Sequence, residues 1–444
     1  MQPLTTTQRI WKVMEGAAGP APVLVSAWDG TTWGRSEAPT HLRLRHPGSL
    51  RAMLWPLSDL TAGESYVFGD VDIEGDIHAM LHWAAEVGES VSWADRLRLM
   101  RLIRRLPDER AAPELRARRP TLSGRVHSIG RDRQAIRYHY DLGNDFFRLF
   151  LDPLMVYSCA HFLDPDEPLE VAQRRKIDLV CRKLSLRPGQ RLLDVGCGWG
   201  ALVVHAAERY GVHATGITVS TEQAHAAREL ARRRGVEKQV EIAEVDYREV
   251  EGKFDAIASV GMVEHVGKAR LADYFAALRR SLAPGGVILN HGIVTRDHDV
   301  SYGKDSFIRT YVFPDGELRP LEDWIPVAED HGLEVRDVEA MRASYALTLR
   351  RWVSNLESNE TEAIRVAGER PFRIWRLYMA GSAVAFERGA IGVYQMLLAD
   401  EERPWTFGRA GLLARDDTAA DLRSRGAVHL MGSRLPSSRE LRNR

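Results

Sequence analysis

A glycine-rich turn between a short apolar strand and a helix is the feature that most constrains this chain. The run Arg191-Leu-Leu-Asp-Val195 has the composition of a buried strand, and residues 201–210 have the pattern of a helix. Between them, Gly196-Cys-Gly-Trp-Gly200 supplies glycines that let the backbone turn tightly and approach a ligand without a Cβ in the way. This order of elements is half of a βαβ unit, and it predicts a parallel sheet covered by helices.

The same alternation of strands and helices continues along the chain. We predict further strands at residues 214–218, 240–243, 254–258 and 286–290, and a helix at residues 221–234. The expected fold class is α/β, with a doubly wound, mostly parallel Rossmann-like sheet over residues 126–408. At 444 residues, the chain is long enough for two or three domains.

Three further segments are expected outside this sheet. Residues 1–95 predict a small α+β domain, with short strands at 23–25, 41–45 and 66–70 and a helix at 76–86. Residues 96–125 predict a basic helix and a linker: between 93 and 125, ten Arg stand against four acids, a net of 10 − 4 = +6, and three prolines interrupt any long helix. Residues 409–444 have little apolar periodicity and predict a disordered tail.

Composition excludes several classes of protein. Lys+Arg and Asp+Glu both number 61, so the chain lacks the basic excess of a dedicated nucleic-acid binder. None of Cys159, Cys181 and Cys197 belongs to a C-x-x-C pair, which argues against a zinc ribbon or a disulfide framework and favours a reducing cytoplasm. We expect no signal peptide, no metal, and no membrane span, since no run of 18 apolar residues occurs.

The spacing of the glycines narrows the choice of cofactor. A dinucleotide fingerprint has G-x-G-x-x-G and an acid about 20 residues further on. Here the spacing is G-x-G-x-G, no acid ends the next strand, and Asp194 precedes the glycines instead. This pattern is typical of an S-adenosylmethionine (SAM) methyltransferase, in which the acid contacts the amino-acid part of the cofactor and the loop passes the ribose. In this interpretation, Asp246 and Tyr247 flank the adenine. The alternatives for the glycine motif are the cofactor loop of a dehydrogenase and a turn that binds no ligand.

Five motifs, in order, carry a resemblance to a known family. They are Tyr138-His-Tyr-Asp-Leu-Gly-Asn-Asp-Phe-Phe147, Met155-Val-Tyr-Ser-Cys-Ala-His-Phe162, the glycine turn, Gly261-Met-Val-Glu-His-Val-Gly267 and Tyr311-Val-Phe-Pro-Asp-Gly-Glu-Leu318. Over residues 125–400 the chain resembles cyclopropane-fatty-acyl-phospholipid synthases. More weakly, the run from Tyr66 to Asp76 is similar to that family's N-terminal lipid-handling domain.

The resemblance implies transfer of a methyl carbon from SAM to the cis double bond of an unsaturated phospholipid acyl chain, through a carbocation, with cyclopropane as the product. It implies a bound bicarbonate as the base. The residues that match the bicarbonate site are Cys159, Glu264, His291, Ile293 and Tyr345. Further cofactor contacts implied are Tyr157, Ser158, Thr218 and Gln223, beside Asp194, Gly196, Gly198, Gly200, Asp246 and Tyr247. The resemblance also suggests a homodimer and a cytoplasmic enzyme that associates peripherally with the inner face of the membrane.

Chemical reasoning adds to these assignments. An alkene is a poor nucleophile, so the site must exclude water and stabilise a cation, as aromatic faces do. The aromatic candidates are Tyr140, Tyr157, Phe162, Tyr311 and Phe313. Glu264 and His291 can orient an anionic base, and Cys159 is expected to have a positioning role only.

Three alternatives stay open. The C-terminal runs Phe372–Ala380 and Ala385–Arg388 are similar to a branch of the family that makes 10-methylene or 10-methyl acids by the same first step. A catalytically dead lipid-binding or regulatory protein is the alternative from another class, and a methyltransferase for a small metabolite is a further one.

If residues 93–106 are helical, their arginines predict reversible docking on an anionic membrane.

Overall fold

Two β-sheets organise the computed structural model, which describes residues 4–112, 114, 122–140, 142–296 and 306–404. The predicted disordered tail and part of the predicted linker lie outside these residues. In spatial order, the smaller sheet contains strands at residues 32–34, 23–26, 40–44 and 71–75, and the larger contains strands at 333–340, 391–400, 282–295, 254–260, 191–195, 213–218 and 240–244. The α/β prediction is confirmed: a mostly parallel sheet follows a small N-terminal α+β region.

The N-terminal region surrounds the smaller sheet with helices. Its elements are α1 (Thr6–Ala18), β1 (Val23–Ser26), β2 (Thr32–Gly34), β3 (Thr40–Leu44), α2 (Ser49–Leu54), α3 (Asp59–Val67), β4 (Val71–Gly75), α4 (Ile77–Ser90) and α5 (Trp93–Ile103). The predicted helix at 76–86 is present as α4, and Asp76 caps it by accepting hydrogen bonds from the amides of His78 and Ala79.

The strand predicted at residues 66–70 is wrong. Tyr66 and Val67 end helix α3, which begins after Ser58, whose hydroxyl accepts a hydrogen bond from the Thr61 amide. The strand β4 begins only at Val71. A short apolar run such as Tyr66-Val-Phe68 cannot distinguish a strand from the end of a buried helix.

Helix α5 separates its apolar and basic residues. It packs against α1 and α2, and its buried side includes Leu99, Leu102 and Ile103. The side chains of Arg98 and Arg101 are exposed. The apolar side of α5 is therefore a packing surface of the protein, and Arg98 and Arg101 face outward.

The larger sheet and its helices make up most of the remaining described chain. The elements are α6 (Ile129–Tyr140), α7 (Gly143–Arg148), α8 (Leu169–Lys183), β5 (Arg191–Val195), α9 (Ala201–Tyr210), β6 (His213–Thr218), α10 (Thr221–Arg233), β7 (Val240–Glu244), β8 (Phe254–Val260), α11 (Leu271–Ser281), β9 (Leu282–Thr295), α12 (Phe307–Tyr311), α13 (Trp324–Glu329), β10 (Leu333–Ala340), α14 (Arg342–Ser358), α15 (Glu360–Ala367), α16 (Glu369–Arg388) and β11 (Ile391–Asp400). Short 3₁₀ helices occur at Tyr247–Glu249, Val263–His265, Lys268–Arg270 and Leu321–Asp323.

Strand direction places the functional loops together. Strands β5 to β9 are parallel, and β11 is antiparallel to both β9 and β10. The carboxyl ends of β5, β6, β7 and β8 therefore meet at one edge, where open α/β sheets bind their ligands. Among the described residues, no helix is both long and apolar enough to cross a bilayer.

Candidate active site

A cavity lies above the carboxyl ends of β5 to β8 and is floored by the glycine turn; we call it the glycine-loop cavity. Gly196 and Gly198 line it with φ of +80° and +54°, in the left-handed region that favours glycine. A Cβ built on Gly198 meets no atom within 4 Å, so the cavity wall here is bare backbone. A ligand can therefore approach the turn closely.

Gly200 has a different role from the other two glycines. It does not line the glycine-loop cavity. A Cβ there would lie 2.8 Å from Cβ of Ala227 on α10, and φ is +88°. The third glycine thus permits close packing of the turn against a helix.

The remaining cofactor residues that the sequence predicts are brought to this cavity. Those lining it are Tyr157, Ser158, Asp194, Thr218, Gln223, Asp246 and Tyr247. The Thr218 hydroxyl donates to Gln223 Oε1 over 2.8 Å. The Asp246 carboxylate accepts hydrogen bonds from Arg248, over 2.6 Å at Oδ1 and 2.8 Å at Oδ2. Hydrogen bonds thus fix the side chains of Thr218 and Gln223 near the end of β6 and that of Asp246 after β7.

Charged groups that the sequence did not single out also line the glycine-loop cavity. Lys176 enters it from α8, and Asp132 enters it from α6. Burial raises the pKa of Asp194 to about 7, although the nearby Lys176 opposes this shift. A buried acid, a buried base and bare glycine backbone fit a zwitterionic amino acid joined to a nucleoside, which is the chemistry of SAM.

A second cavity adjoins the first and is mainly aromatic and aliphatic; we call it the aromatic cavity. Its lining includes all five residues of the predicted bicarbonate site, namely Cys159, Glu264, His291, Ile293 and Tyr345. The apolar lining includes Ile308, Phe313, Leu318, Leu349, Tyr378, Phe386, Ile391 and Val393. Side chains from β9, β11, α14 and α16 thus converge on residues from the loop after β8.

Of the five aromatic candidates, three line the aromatic cavity and two do not. Tyr140, Tyr157 and Phe313 line it. Phe162 lies outside it, and the Tyr311 hydroxyl donates to Glu64 Oε1 over 2.9 Å, on the N-terminal helix α3. The sequence missed Tyr378, whose hydroxyl lies 3.3 Å from that of Tyr157.

Two ionisable side chains present polar atoms without protein partners. Glu264 Oε1 accepts a hydrogen bond of 2.8 Å from the Ile293 amide, whereas its buried Oε2 has no partner among the described residues. Burial raises the pKa of Glu264 to about 7. The Glu264 carboxyl is therefore partly protonated near neutral pH and can accept or donate a proton.

His291 presents the second free atom. Its Nδ1 lies 3.1 Å from Gln395 Nε2, which donates to it, so the ring proton lies on Nε2. That Nε2 is buried and has no partner in the described part of the chain. Burial lowers the pKa of His291 well below its ordinary value, so the ring is neutral. A neutral N–H donor and a carboxyl oxygen that line the same cavity fit a small oxyanion such as bicarbonate.

Burial also raises the pKa values of the Cys159 thiol and the Tyr345 phenol. Cys159 therefore stays protonated, and its Sγ donates to the Ala160 carbonyl over 3.1 Å. A thiolate nucleophile is incompatible with this environment. A positioning role for Cys159 stays a prediction.

The two cavities share a wall. The residues that line both are Tyr140, Tyr157, Ser158, Gly261 and His265. Burial raises the pKa of Tyr140 to about 12 and lowers that of His265 to about 4, so both side chains are neutral. A group held in the glycine-loop cavity can therefore face the aromatic cavity across an uncharged boundary.

Comparison with known proteins gives one consistent family. A family model described as mycolic acid cyclopropane synthetase matches residues 127–396. A probable fatty acid methyltransferase of Pseudomonas putida is 39% identical over 87% of this chain and 95% of that protein. A tuberculostearic acid methyltransferase of Mycobacterium tuberculosis is 34% identical over 85% of this chain and 87% of its own. The cyclopropane-fatty-acyl-phospholipid synthase of Escherichia coli is 39% identical over 59% of this chain and 66% of its own.

Solved structures agree with the sequence relatives. A cyclopropane synthase from Mycobacterium tuberculosis is 35% identical, with a TM-score of 0.58, over 60% of this chain and 98% of that one. A mycolic acid cyclopropane synthase complexed with SAH and CTAB has the same identity, TM-score and coverage.

Proposed function

The chain belongs to the mycolic acid cyclopropane synthetase family and is a SAM-dependent methyltransferase, and from that premise we propose that it methylates the cis double bond of unsaturated phospholipid acyl chains. The observation that carries the proposal is the wall shared by the glycine-loop cavity and the aromatic cavity. One cavity suits SAM, and the other suits an apolar chain. The proposed transfer occurs across Tyr140, Tyr157 and Gly261.

SAM, when bound, supplies an electrophilic methyl group. An alkene carbon forms the new bond to that methyl carbon as the carbon–sulfur bond breaks, and the neighbouring alkene carbon becomes cationic. The rings of Tyr140, Tyr157 and Phe313 line the place where this charge forms, and aromatic faces stabilise cations without reacting with them. These rings and Tyr378 make the lining here largely aromatic, and in this proposal they protect the cation from hydration.

Loss of one proton completes the reaction. Bicarbonate, when bound, supplies the base for this step. Glu264 and His291 would hold it, since each has a buried atom without a protein partner among the described residues. Glu264, with a pKa raised to about 7, can receive or relay the proton near neutral pH.

The product depends on which proton leaves. Loss from the transferred methyl group, with closure of a carbon–carbon bond, gives the cyclopropane that we take as the first candidate. A hydride shift before proton loss gives a methylene branch instead. The second candidate is favoured by the relatives that match more than four fifths of the chain, which are named as fatty acid or tuberculostearic acid methyltransferases.

We further propose that residues 1–95 and helix α5 bring the enzyme to the inner face of an anionic membrane. Trp93 begins α5 and is 76% exposed, and tryptophan favours the membrane–water boundary. The exposed side of α5 also carries Arg98 and Arg101, with Arg105 exposed just beyond the helix end. Basic groups near anionic headgroups contribute about 1 kcal/mol each.

The experiment incubates the full chain with SAM and anionic vesicles whose acyl chains are either oleoyl or stearoyl, and measures SAH release. We expect release only with oleoyl chains, and proton NMR of the lipid then distinguishes ring protons from exocyclic methylene protons. Intact SAH binding without turnover on either vesicle would support the dead lipid-binding protein. Turnover without lipid, on small metabolites, would refute the proposal.

A further inference from the structure

Lys176 is a buried cation in the glycine-loop cavity that lacks an ion pair within the described residues. It lies in the middle of α8 and is 4% exposed. Its ammonium donates a hydrogen bond of 2.8 Å to the Ser158 hydroxyl. An ammonium has three donors, so the structure leaves donors of Lys176 for another acceptor.

A second lysine on the same helix shows how this chain ordinarily buries such a charge. Lys183 is 3% exposed. Its ammonium pairs with Glu339 at 2.5 Å and with Asp337 at 3.3 Å. Burial of an unpaired charge is costly. The different surroundings of Lys176 therefore indicate that its counter-ion comes from outside the chain.

The acids nearest to Lys176 are otherwise engaged or set apart. Asp152 uses both carboxylate oxygens to accept hydrogen bonds from the amides of Leu154 and Val156. Asp194 lines the same cavity, but no ion pair within 4 Å joins it to Lys176 in the described structure. Burial lowers the pKa of Lys176 to about 8 and raises that of Asp194 to about 7, and the attraction between the two groups offsets only part of these shifts.

We infer that Lys176, together with Ser158, binds the carboxylate of the cofactor's amino-acid part, while Asp194 holds its ammonium. The cavity offers a cation and an anion that do not neutralise each other, and a zwitterionic amino acid complements both. The inference rests on the cofactor assignment and is independent of the lipid substrate.

The hydrogen bond between Lys176 and Ser158 gives the hydroxyl a defined direction. Because the lysine donates to Ser158 Oγ, the hydroxyl proton is free to be donated onward. Ser158 lies on the shared wall, so a carboxylate bound there would fix the cofactor close to the point of transfer. Lys176 is thus a cofactor-binding and positioning residue.

The test compares two ligands that differ by one group: SAH and its decarboxylated analogue, each titrated into the full chain by calorimetry. Wild type should prefer SAH. In Lys176→Met, SAH affinity should fall on the order of 30-fold or more, as expected for a buried charge pair, while affinity for the analogue stays within about twofold of wild type. Lys183→Met is the matched control, which loses a buried lysine of the same helix and should keep the wild-type preference.

Equal losses for both ligands in Lys176→Met, or unchanged SAH affinity, would overturn the inference. If circular dichroism shows that Lys176→Met does not fold, Ser158→Ala provides the test instead. The ratio of its affinity for SAH to its affinity for the analogue should be smaller than in wild type. An unchanged ratio would count against the assignment. Failure of wild type to bind SAH at all would instead remove the cofactor assignment. Equal wild-type affinities for the two ligands would show that no group recognises the carboxylate.

Discussion

The glycine-loop cavity and the aromatic cavity share a wall but are built from different kinds of residue. The first combines bare glycine backbone with buried charges, Asp194 and Lys176, and suits a polar ligand of fixed shape. The second is lined mainly by rings and aliphatic groups, and in it Glu264 and His291 each have a buried polar atom with no partner among the described residues. The difference teaches how recognition and chemistry can be separated: in our proposal one cavity holds the methyl donor, and the other controls what happens to the cation.

The largest expected effect separates chemistry from cofactor binding. Glu264→Gln should lower turnover by roughly 10²- to 10⁴-fold, the range for loss of a general acid–base group. SAH affinity should stay within a few-fold, because Glu264 lines only the aromatic cavity. Turnover is measured as SAH release on oleoyl vesicles, with the exposed Glu249→Gln as control. A variant that kept more than half its turnover would show that Glu264 is dispensable.

The next effect should be confined to the glycine-loop cavity. Gly198→Val places a branched side chain in space that the cofactor needs, and calorimetry should find SAH affinity lowered by tenfold or more (about 1.4 kcal/mol per factor of ten). Gly235→Val is the control, since its φ of +71° imposes similar strain and its Cβ also meets no atom within 4 Å, away from both cavities. Unchanged SAH affinity in a folded Gly198 variant would reject the glycine loop as the cofactor site.

A pH titration tests whether the ionised carboxylate of Asp194 contributes to SAH binding in the same cavity. The pKa of Asp194 is about 7 in the free protein, and a bound ammonium would lower it by stabilising the carboxylate. SAH affinity should therefore be highest between about pH 7 and pH 8, where Asp194 is ionised and Lys176 is still protonated. It should fall as the pH drops through 7, by up to about tenfold per unit. Calorimetry with 5′-methylthioadenosine, which lacks the amino-acid part, should show no such fall. A similar fall with both ligands would assign the titration to another group.

The smallest effect tests the surface rather than either cavity. Replacing Arg98, Arg101 and Arg105 with Gln should weaken co-sedimentation with anionic vesicles several-fold at low salt, since each contributes about 1 kcal/mol or less. A matched control replaces Arg232, Arg233 and Arg234, also exposed and at the end of α10, with the same loss of charge. Equal binding by wild type and the α5 variant would place the membrane contact elsewhere, most simply on the N-terminal region.

Local signals made the glycine-loop cavity the more predictable of the two. The strand, turn and helix around Gly196 are contiguous in sequence, so their positions follow from short-range patterns. The role of Gly200 in packing against Ala227 could not be predicted, because the contact involves a helix distant in sequence. Lys176 had a detectable signal: it occupies the buried stripe of α8 with Ala172 and Val180, where a lysine is unusual.

The residues of the aromatic cavity were harder to predict, because tertiary structure decides which of them line it. Aromatic residues predict burial but not which of them face a cavity, so the candidates Tyr311 and Phe162 prove to line neither cavity. Tyr378 and Phe386 reach it from α16, far along the chain, with no local signal that distinguishes them from core residues. Without the family resemblance, His291 and Ile293 on β9 would have been interpreted as ordinary strand residues.

The most direct test of the two-cavity account follows the methyl carbon itself. The full chain is incubated with SAM carrying a deuterated methyl group and with oleoyl phospholipid vesicles, and the lipid is analysed by mass spectrometry. The account predicts one added carbon on the former double bond, with two of its three deuterium atoms retained, because the base removes the third. Acyl chains without label, in a preparation that binds SAH normally, would contradict methyl transfer across the shared wall.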